Sequence, residues 1–480
     1  MILFTAAEVA RVTGGSLEAG DPGAHITGVV TDSREAGPGD LFVAIGGSRH
    51  DGHDFLPAAA GAGAVAALVA RVPAPAPGLA LIRTADPVVA MGALAAHHRR
   101  RFALPVVAVT GSVGKTAVKD LTAGVLAQGY RVLATSGNLN TEIGVPLTLF
   151  GLDRGHGVAV LEMGMRGEGQ IAYLAAMALP LVGVVTNVGD IHLEALGSRE
   201  AIARAKGELL AALPAGGVAV VNAADPGARR LGERHRGAVI AYGDGPRAVV
   251  TARSVRSHGA AGTSWTLAVE AAGWPEEPLG GKSPAWPPGP AGQEVRLPLA
   301  GRHNVSNALG AAAVGLLFGL TPAAVARGLA LAPRSDMRLA VRRVAGVVIL
   351  DDTYNAGPAS TLAALEVLRD LAGAGRAVAV LGNMLELGSQ AEAGHRRVGK
   401  ACAGLAGLVT LGDLAAGIAR AARAAGLDRV VECYQRDEAL AALEAMVRKG
   451  DTILFKGSRG MRMELLLADF VAARGRGGRR

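Results

Sequence analysis

The run Val106-Val107-Ala108-Val109 passes directly into Thr110-Gly111-Ser112-Val113-Gly114-Lys115-Thr116, and this junction constrains the fold more than any other feature. An apolar strand that opens into a glycine turn and then a Lys-Thr pair starting a helix is a cradle for polyphosphate. The glycines let backbone N–H groups face an anion, and the helix N-terminus adds its dipole. Lys115 then meets the outer phosphates, and the Thr116 hydroxyl is placed for Mg²⁺. Gly111 and Gly114 stand three residues apart, a shortened form of the loop. A strand feeding such a helix also demands a parallel sheet covered on both faces.

At 480 residues the chain has room for about three domains. Half of it is hydrophobic but only 3% aromatic, so Ala, Val and Leu must fill the core while 68 glycines serve turns and close packing. The formal charge of +8 is scattered, apart from the tail Arg474–Arg480 with its four arginines. Such a tail reads as a solvated end, and polyanionic small substrates account for the basic balance without nucleic acid. Cys402 and Cys433, the only cysteines, lack Cys-x-x-Cys spacing and imply neither a disulfide framework nor a cysteine zinc site. The N-terminus lacks the features of a signal peptide, and a cytoplasmic location is expected. Ala308 to Ala326 is uncharged over nearly a membrane-spanning length, but Gly310, Gly315, Gly319 and Thr321-Pro322 divide it into two buried helices.

Strand-like runs at 27–31, 41–45, 65–70 and 79–82 precede a helix from about Pro87 to Arg101. They predict a small N-terminal α/β domain over 1–102. A central domain over 103–334 has parallel strands at 106–109, 158–161, 182–186 and 218–221, then antiparallel ones at 249–255, 263–269 and 295–299. The last two antiparallel strands flank a loop, 273–292, with six prolines and two tryptophans, read as a surface insertion. A third, doubly wound domain over 335–480 has strands at 347–350, 377–381, 408–411, 430–433 and 452–455. No GxGxxG follows its first strand, so no dinucleotide site is expected there. Glu162 and Asn187 each follow a parallel strand and therefore face the crevice at the carboxyl edge.

Glu162, His192 and Lys206 add chemistry to the loop, since a carboxylate and an imidazole at neighbouring strand ends can converge on metal beside a γ-phosphate. Singly, His192 reads as a structural histidine, and Lys206 as an ordinary lysine paired with Glu208 or a phosphate. Together, the ordered blocks TGSVGKT, SGNLNTEIGVPLTL, VLEMGMRGEGQI, HLEALGS, ARAKGEL, GRHNVSNALGAA, DDTYN and KGSRGMRME resemble the Mur ligases of peptidoglycan synthesis, from about Thr31 to Glu464.

That resemblance implies an N-terminal UDP-substrate domain, a central ATPase and a C-terminal Rossmann-like domain closing over the site. It implies an ATP-dependent ligase joining D-alanyl-D-alanine to UDP-N-acetylmuramoyl-tripeptide, a monomer with no stable membrane insertion. Gly111, Ser112, Val113, Gly114, Lys115, Thr116 and Ala117 would hold the ATP phosphates. Thr116 and Glu162 would serve a first Mg²⁺ and His192 a second, with Lys206 converted by CO₂ to a carbamate. His303, Asn304 and Asn307 resemble adenine contacts, and Arg338, Asp352 and Asn355 resemble contacts from the closing domain. Ser33 and Arg34 match the UDP-side motif, and Asn138, Asn140 and Glu142 a block lining the muramyl-peptide channel.

Asn383 stands where the pattern has Asp, and Gly357 and Thr141 where it has Asn. The Asp-Asn-Pro-Arg motif of the sister ligase that adds diaminopimelate or lysine is absent. Asp32-Ser33-Arg34 and Gly52-His53-Asp54-Phe55 fit folylpolyglutamate synthase poorly. A non-catalytic nucleotide-binding module would keep the loop but could dispense with Glu162, His192 or Lys206.

Overall fold

The computed structural model describes residues 4–47, 50–72, 78–270, 274, 279, 292–331 and 337–477. Most of the Pro-rich segment 273–292, the proposed boundary near 335 and the end of the basic tail lie outside the described residues.

The central sheet has nine strands in the order Gln293–Leu297, Thr263–Val269, Val250–Ser257, Ala238–Tyr242, Val218–Asn222, Val182–Val185, Val106–Thr110, Val158–Glu162 and Val132–Ala134. Pairings from Val132–Ala134 to Val250–Ser257 are parallel, and the last two are antiparallel. The antiparallel strands therefore extend the nucleotide-type sheet rather than forming a second one. Two of its members were not anticipated: Val132–Ala134 is short, and Ala238–Tyr242 has only two fully buried positions.

The C-terminal sheet runs Ala340–Val344, Val347–Asp352, Thr452–Lys456, Ala377–Gly382, Gly407–Leu411, Val430–Cys433. Its five expected strands are parallel, and the unforeseen Ala340–Val344 adds an antiparallel edge. That edge strand, AVRRV, has no fully buried residue and so lacks an apolar signature. The N-terminal sheet runs Ser16–Ala19, Ala80–Arg83, Ala66–Val69, Asp40–Val43, Gly28–Val30, with only Ser16–Ala19 antiparallel.

Helix Pro87–Arg99, started by Asp86 capping Val88 N–H and by proline in its first turn, ties the N-terminal unit to the centre. Met91, Leu94 and Ala95 join Val145, Leu149, Ile171 and Leu174 of the central unit in one apolar core. The opposite face of the central sheet is covered by helices Lys115–Leu126 and Arg302–Leu317. The uncharged stretch divides as the sequence predicts, into Arg302–Leu317 and Pro322–Ala330, with Thr321 accepting from Ala324 N–H at 3.2 Å. Gly315 marks a close approach, because a Cβ there would meet Val125 Cγ1 at 2.3 Å. No helix among the described residues is long and apolar enough to cross a membrane.

Candidate active site

Parallel register places the chemistry. Glu162 pairs with Val109 on the strand that becomes the phosphate loop, so its carboxylate emerges beside that loop. Gly114 begins helix Lys115–Leu126 at φ 81°, and a Cβ there would lie 2.6 Å from Asn307 Oδ1. Gly111 is similarly obligatory, since a Cβ would overlap Thr186 Oγ1. The first-turn amides of the helix have no carbonyl partner within it and face the cavity.

Asn187 braces the loop from the neighbouring strand end. Its Oδ1 accepts from Ser112 N–H at 3.1 Å and Val113 N–H at 2.9 Å, while its Nδ2 donates to Val113 O at 2.9 Å. Thr186 Oγ1 donates to the same carbonyl at 2.6 Å. Lys115 Nζ donates to Gly111 O at 2.8 Å. Enclosure of the ammonium lowers its pKa, opposed by the charge of Glu162 and aided by that of Arg338.

A cavity of about 480 Å³ opens above the loop, between the central and C-terminal lobes. It gathers Ser112 to Ala117, Asn140, Glu162, His303, Asn304, Asn307, Arg338, Asp352 and Asn355, a set drawn from both lobes. Gly111, His192, Lys206, Ser33, Arg34, Asn138 and Glu142 are not among its lining residues.

Glu162 is 2% exposed; Asn140 Nδ2 donates to its Oε1 at 2.7 Å, and its buried Oε2 has no hydrogen-bond partner among the described residues. An orphaned buried carboxylate oxygen beside a phosphate cradle fits a cation. Among the described residues no group of three or more His, Cys, Asp or Glu could hold a metal ion. A metal here would therefore need phosphate oxygens and water to complete its shell, as Mg²⁺ usually does.

Lys206, on helix Arg199–Ala211, is 1% exposed and makes no hydrogen bond or ion pair to the described residues. Burial, then the charge of Lys115, pushes its pKa well below the usual lysine range. Pairing with Glu208 does not occur, because Glu208 instead accepts from Gly169 and Ala172 N–H at 2.6 and 2.9 Å. His192 has a lowered pKa, chiefly from burial and then from Lys115, and its Nδ1 lies 3.0 Å from Glu386 Oε2.

The cavity also contains residues that sequence reasoning did not single out. Lys456 Nζ pairs with Asp352 and donates to Asn355 O at 2.9 Å, which organises the C-terminal wall. Lys456 ends the parallel strand Thr452–Lys456, and the strand-end rule that picks out Glu162 would have found it. The Arg338 guanidinium stacks 4.0 Å from the Tyr354 ring centroid. His303 is held neutral, its pKa lowered to about 4 by burial.

The UDP-side candidates lie elsewhere. Arg34 is exposed and clasps Asp32 through Nε at 2.9 and 3.1 Å, on the loop after Gly28–Val30. Asn138 and Glu142 are exposed on the segment before helix Gly144–Phe150. The three departures are locally accommodated. Asn383 donates to Asp413 at 2.7 Å and accepts from Ala415 N–H at 2.8 Å. The Thr141 hydroxyl accepts from Ile143 N–H at 3.4 Å, and Gly357 caps its helix with help from Ser360 Oγ, 3.1 Å from its N–H.

A braced phosphate loop, an orphaned carboxylate and a cavity closed by a second α/β lobe define a nucleotide-dependent enzyme of the three-lobed ligase class. Family models match in sequence order: the Mur ligase family catalytic domain at residues 25–99, the Mur ligase middle domain at 109–315 and the Mur ligase glutamate ligase domain at 337–459. The chain belongs to the Mur ligase family. It is 36% identical to the UDP-N-acetylmuramoyl-tripeptide–D-alanyl-D-alanine ligase of Bacillus subtilis, over 93% of each chain. The structure of MurF from Acinetobacter baumannii superposes with a TM-score of 0.86 at 32% identity, covering 98% of this chain and 99% of that one. MurF ligase from Thermotoga maritima, in complex with ADP, gives a TM-score of 0.79 at 29% identity, over 94% and 98%.

Proposed function

We propose that this protein is the ATP-dependent ligase that joins D-alanyl-D-alanine to the terminal carboxylate of UDP-N-acetylmuramoyl-tripeptide, forming the pentapeptide precursor of peptidoglycan in the cytoplasm. The observation that carries this reading is the near-full-length likeness to ligases of that name, coupled to a phosphate loop facing an interlobe cavity.

The tripeptide carboxylate attacks the γ-phosphorus of ATP, ADP leaves, and an acyl phosphate forms. The amine of D-alanyl-D-alanine then attacks the acyl carbon, loses a proton and expels inorganic phosphate. Lys115 and the first-turn amides stabilise charge on the transferring oxygens, which is most of what a protein contributes to such a transfer. His303, Asn304 and Asn307 hold the adenine side, and Arg338, Asp352 and Asn355 close over the nucleotide from the C-terminal lobe. Ser33 and Arg34 take the UDP end, with Asn138, Asn140 and Glu142 along the muramyl-peptide channel.

Thr116 and Glu162 would hold one Mg²⁺ and His192 a second, supported by the orphaned Glu162 Oε2. Bound there, Mg²⁺ supplies neutralisation of the phosphate oxygens. Lys206, buried and without a hydrogen bond or ion pair among the described residues, is read as the lysine whose neutral amine adds to CO₂ and releases a proton, becoming a carbamate ligand. One chain contains all of these groups, so a monomer suffices.

The test is phosphate release from ATP with Mg²⁺ and UDP-N-acetylmuramoyl-tripeptide, adding D-alanyl-D-alanine, D-alanine or diaminopimelate in turn. Release only with D-alanyl-D-alanine, with a UDP-linked pentapeptide product, is expected. Release with diaminopimelate instead, or with none of the three, overturns the assignment.

A further inference from the structure

His192 belongs to the central lobe, yet its ring is held from the C-terminal one. Glu386, on the loop after strand Ala377–Gly382, places Oε2 at 3.0 Å from His192 Nδ1. The backbone is committed to this contact on both sides. His192 sits at φ 69° and Glu386 at φ 63°, a left-handed conformation in which side-chain-bearing residues are strained. Two residues further on, Gly388 (φ +51°) comes so near that an added Cβ would lie 3.0 Å from Glu194 Cα and 3.3 Å from Glu194 N. The loop and the His192–Glu194 segment therefore meet backbone to backbone, with the Glu386–His192 pair beside the junction. The carboxylate itself stays largely exposed, its side chain 58% accessible against 21% for His192. Its role is therefore not to fill a core.

A carboxylate accepting from an imidazole decides which nitrogen carries the proton. With Glu386 Oε2 3.0 Å from Nδ1, a proton on Nδ1 is favoured, so Nε2 of the neutral ring keeps its lone pair. We propose that Glu386 is a positioning residue for His192, setting its tautomer and ring orientation, and that the C-terminal lobe supplies this control only when its 386–388 loop is seated on the central lobe. Seating of the lobe and readiness of His192 are then a single event, which rests on the proposed ligase chemistry only for its kinetic consequence.

The experiment combines ¹⁵N NMR of the histidine rings, with His192 assigned through His192→Gln, and steady-state kinetics on the full chain. Wild type is expected to show a protonated Nδ1 and a bare Nε2 at His192. Glu386→Ala is expected to mix the tautomers and lower kcat about 10–100-fold, the usual cost of losing an outer partner of a ligand, with KM for ATP within about twofold. Glu386→Gln, whose carbonyl still accepts from Nδ1–H, should restore the tautomer and most of kcat. Gly388→Ala, blocking the backbone approach while retaining Glu386, should reproduce the Glu386→Ala spectrum. A wild-type tautomer and kcat in Glu386→Ala overturns the proposal, as does equal loss in Ala and Gln variants. If wild type lacks D-alanyl-D-alanine ligation, the functional reading falls, while the ring spectra still decide the role of Glu386.

Discussion

Asn140 donates its side-chain amide to Glu162 Oε1 at 2.7 Å, leaving the buried Oε2 without a hydrogen-bond partner among the described residues. One oxygen is oriented by the chain, and the proposed site would use the other for a cation. Asn140→Ala should therefore raise the Mg²⁺ concentration needed for half-maximal activity by about 10–100-fold, with little change in thermal stability. Mg²⁺ titration of ATP turnover checks this, and an unchanged midpoint contradicts it.

Lys115 lines the loop end of the cavity and makes no ion pair among the described residues, its Nζ instead donating to Gly111 O. Lys115→Ala is expected to lower kcat by at least ~10²–10³ while the fold is retained, the cost of one lost transition-state donor. An alanine variant within tenfold of wild type would remove Lys115 from the reaction.

The burial of Lys206 leads to a chemical rescue. Lys206→Ala should be inactive and regain activity with millimolar short-chain carboxylates, whereas wild type should slow when bicarbonate is stripped from the assay. An unrescued variant together with an indifferent wild type contradicts the carbamate.

Lys456 and Asp352 form a pair in which the lysine is 3% and the aspartate 13% accessible. Lys456→Met leaves the Asp352 charge enclosed and unmatched, and should cost about 3–5 kcal/mol in stability of the C-terminal lobe. Urea unfolding followed by a probe in that lobe, with KM for ATP measured alongside, tests it; a loss below about 1 kcal/mol, the size of a surface pair, fails it.

His98, 1% exposed and bonded to Leu152 O at 3.2 Å, has its pKa lowered from 6.5 to about 4 by burial. His303 is lowered to the same range. In the unfolded chain both rings take up protons near pH 6.5, while the folded ones do so only near 4, so the unfolded state binds more protons between those values. Their contribution is fully present above pH 6.5 and is lost as pH falls toward 4. Denaturant midpoints measured across that window should decline, and His98→Gln should flatten the decline.

The phosphate loop was legible because its chemistry is local: strand, glycines and Lys-Thr are contiguous, and only glycine tolerates the contacts at 111 and 114. The parallel strands were legible because burial on both faces forces continuous Val and Leu runs. Ala340–Val344 and Ser16–Ala19 were not, since edge strands with one open face carry charged or small residues. Asn187 could be placed at the crevice by its strand-end position, but its grip on two loop amides could not.

By itself the sequence determined three α/β units, the nucleotide cradle, Glu162 beside it and the family blocks, because each depends on residues adjacent in the chain or on strand periodicity. Only the tertiary structure decided that Glu208 caps a helix and leaves Lys206 alone, that Lys456 holds Asp352, and that Glu386 reaches His192 across two lobes. These contacts join residues on different elements, and a partner choice of that kind is set by how lobes pack rather than by any spacing along the chain.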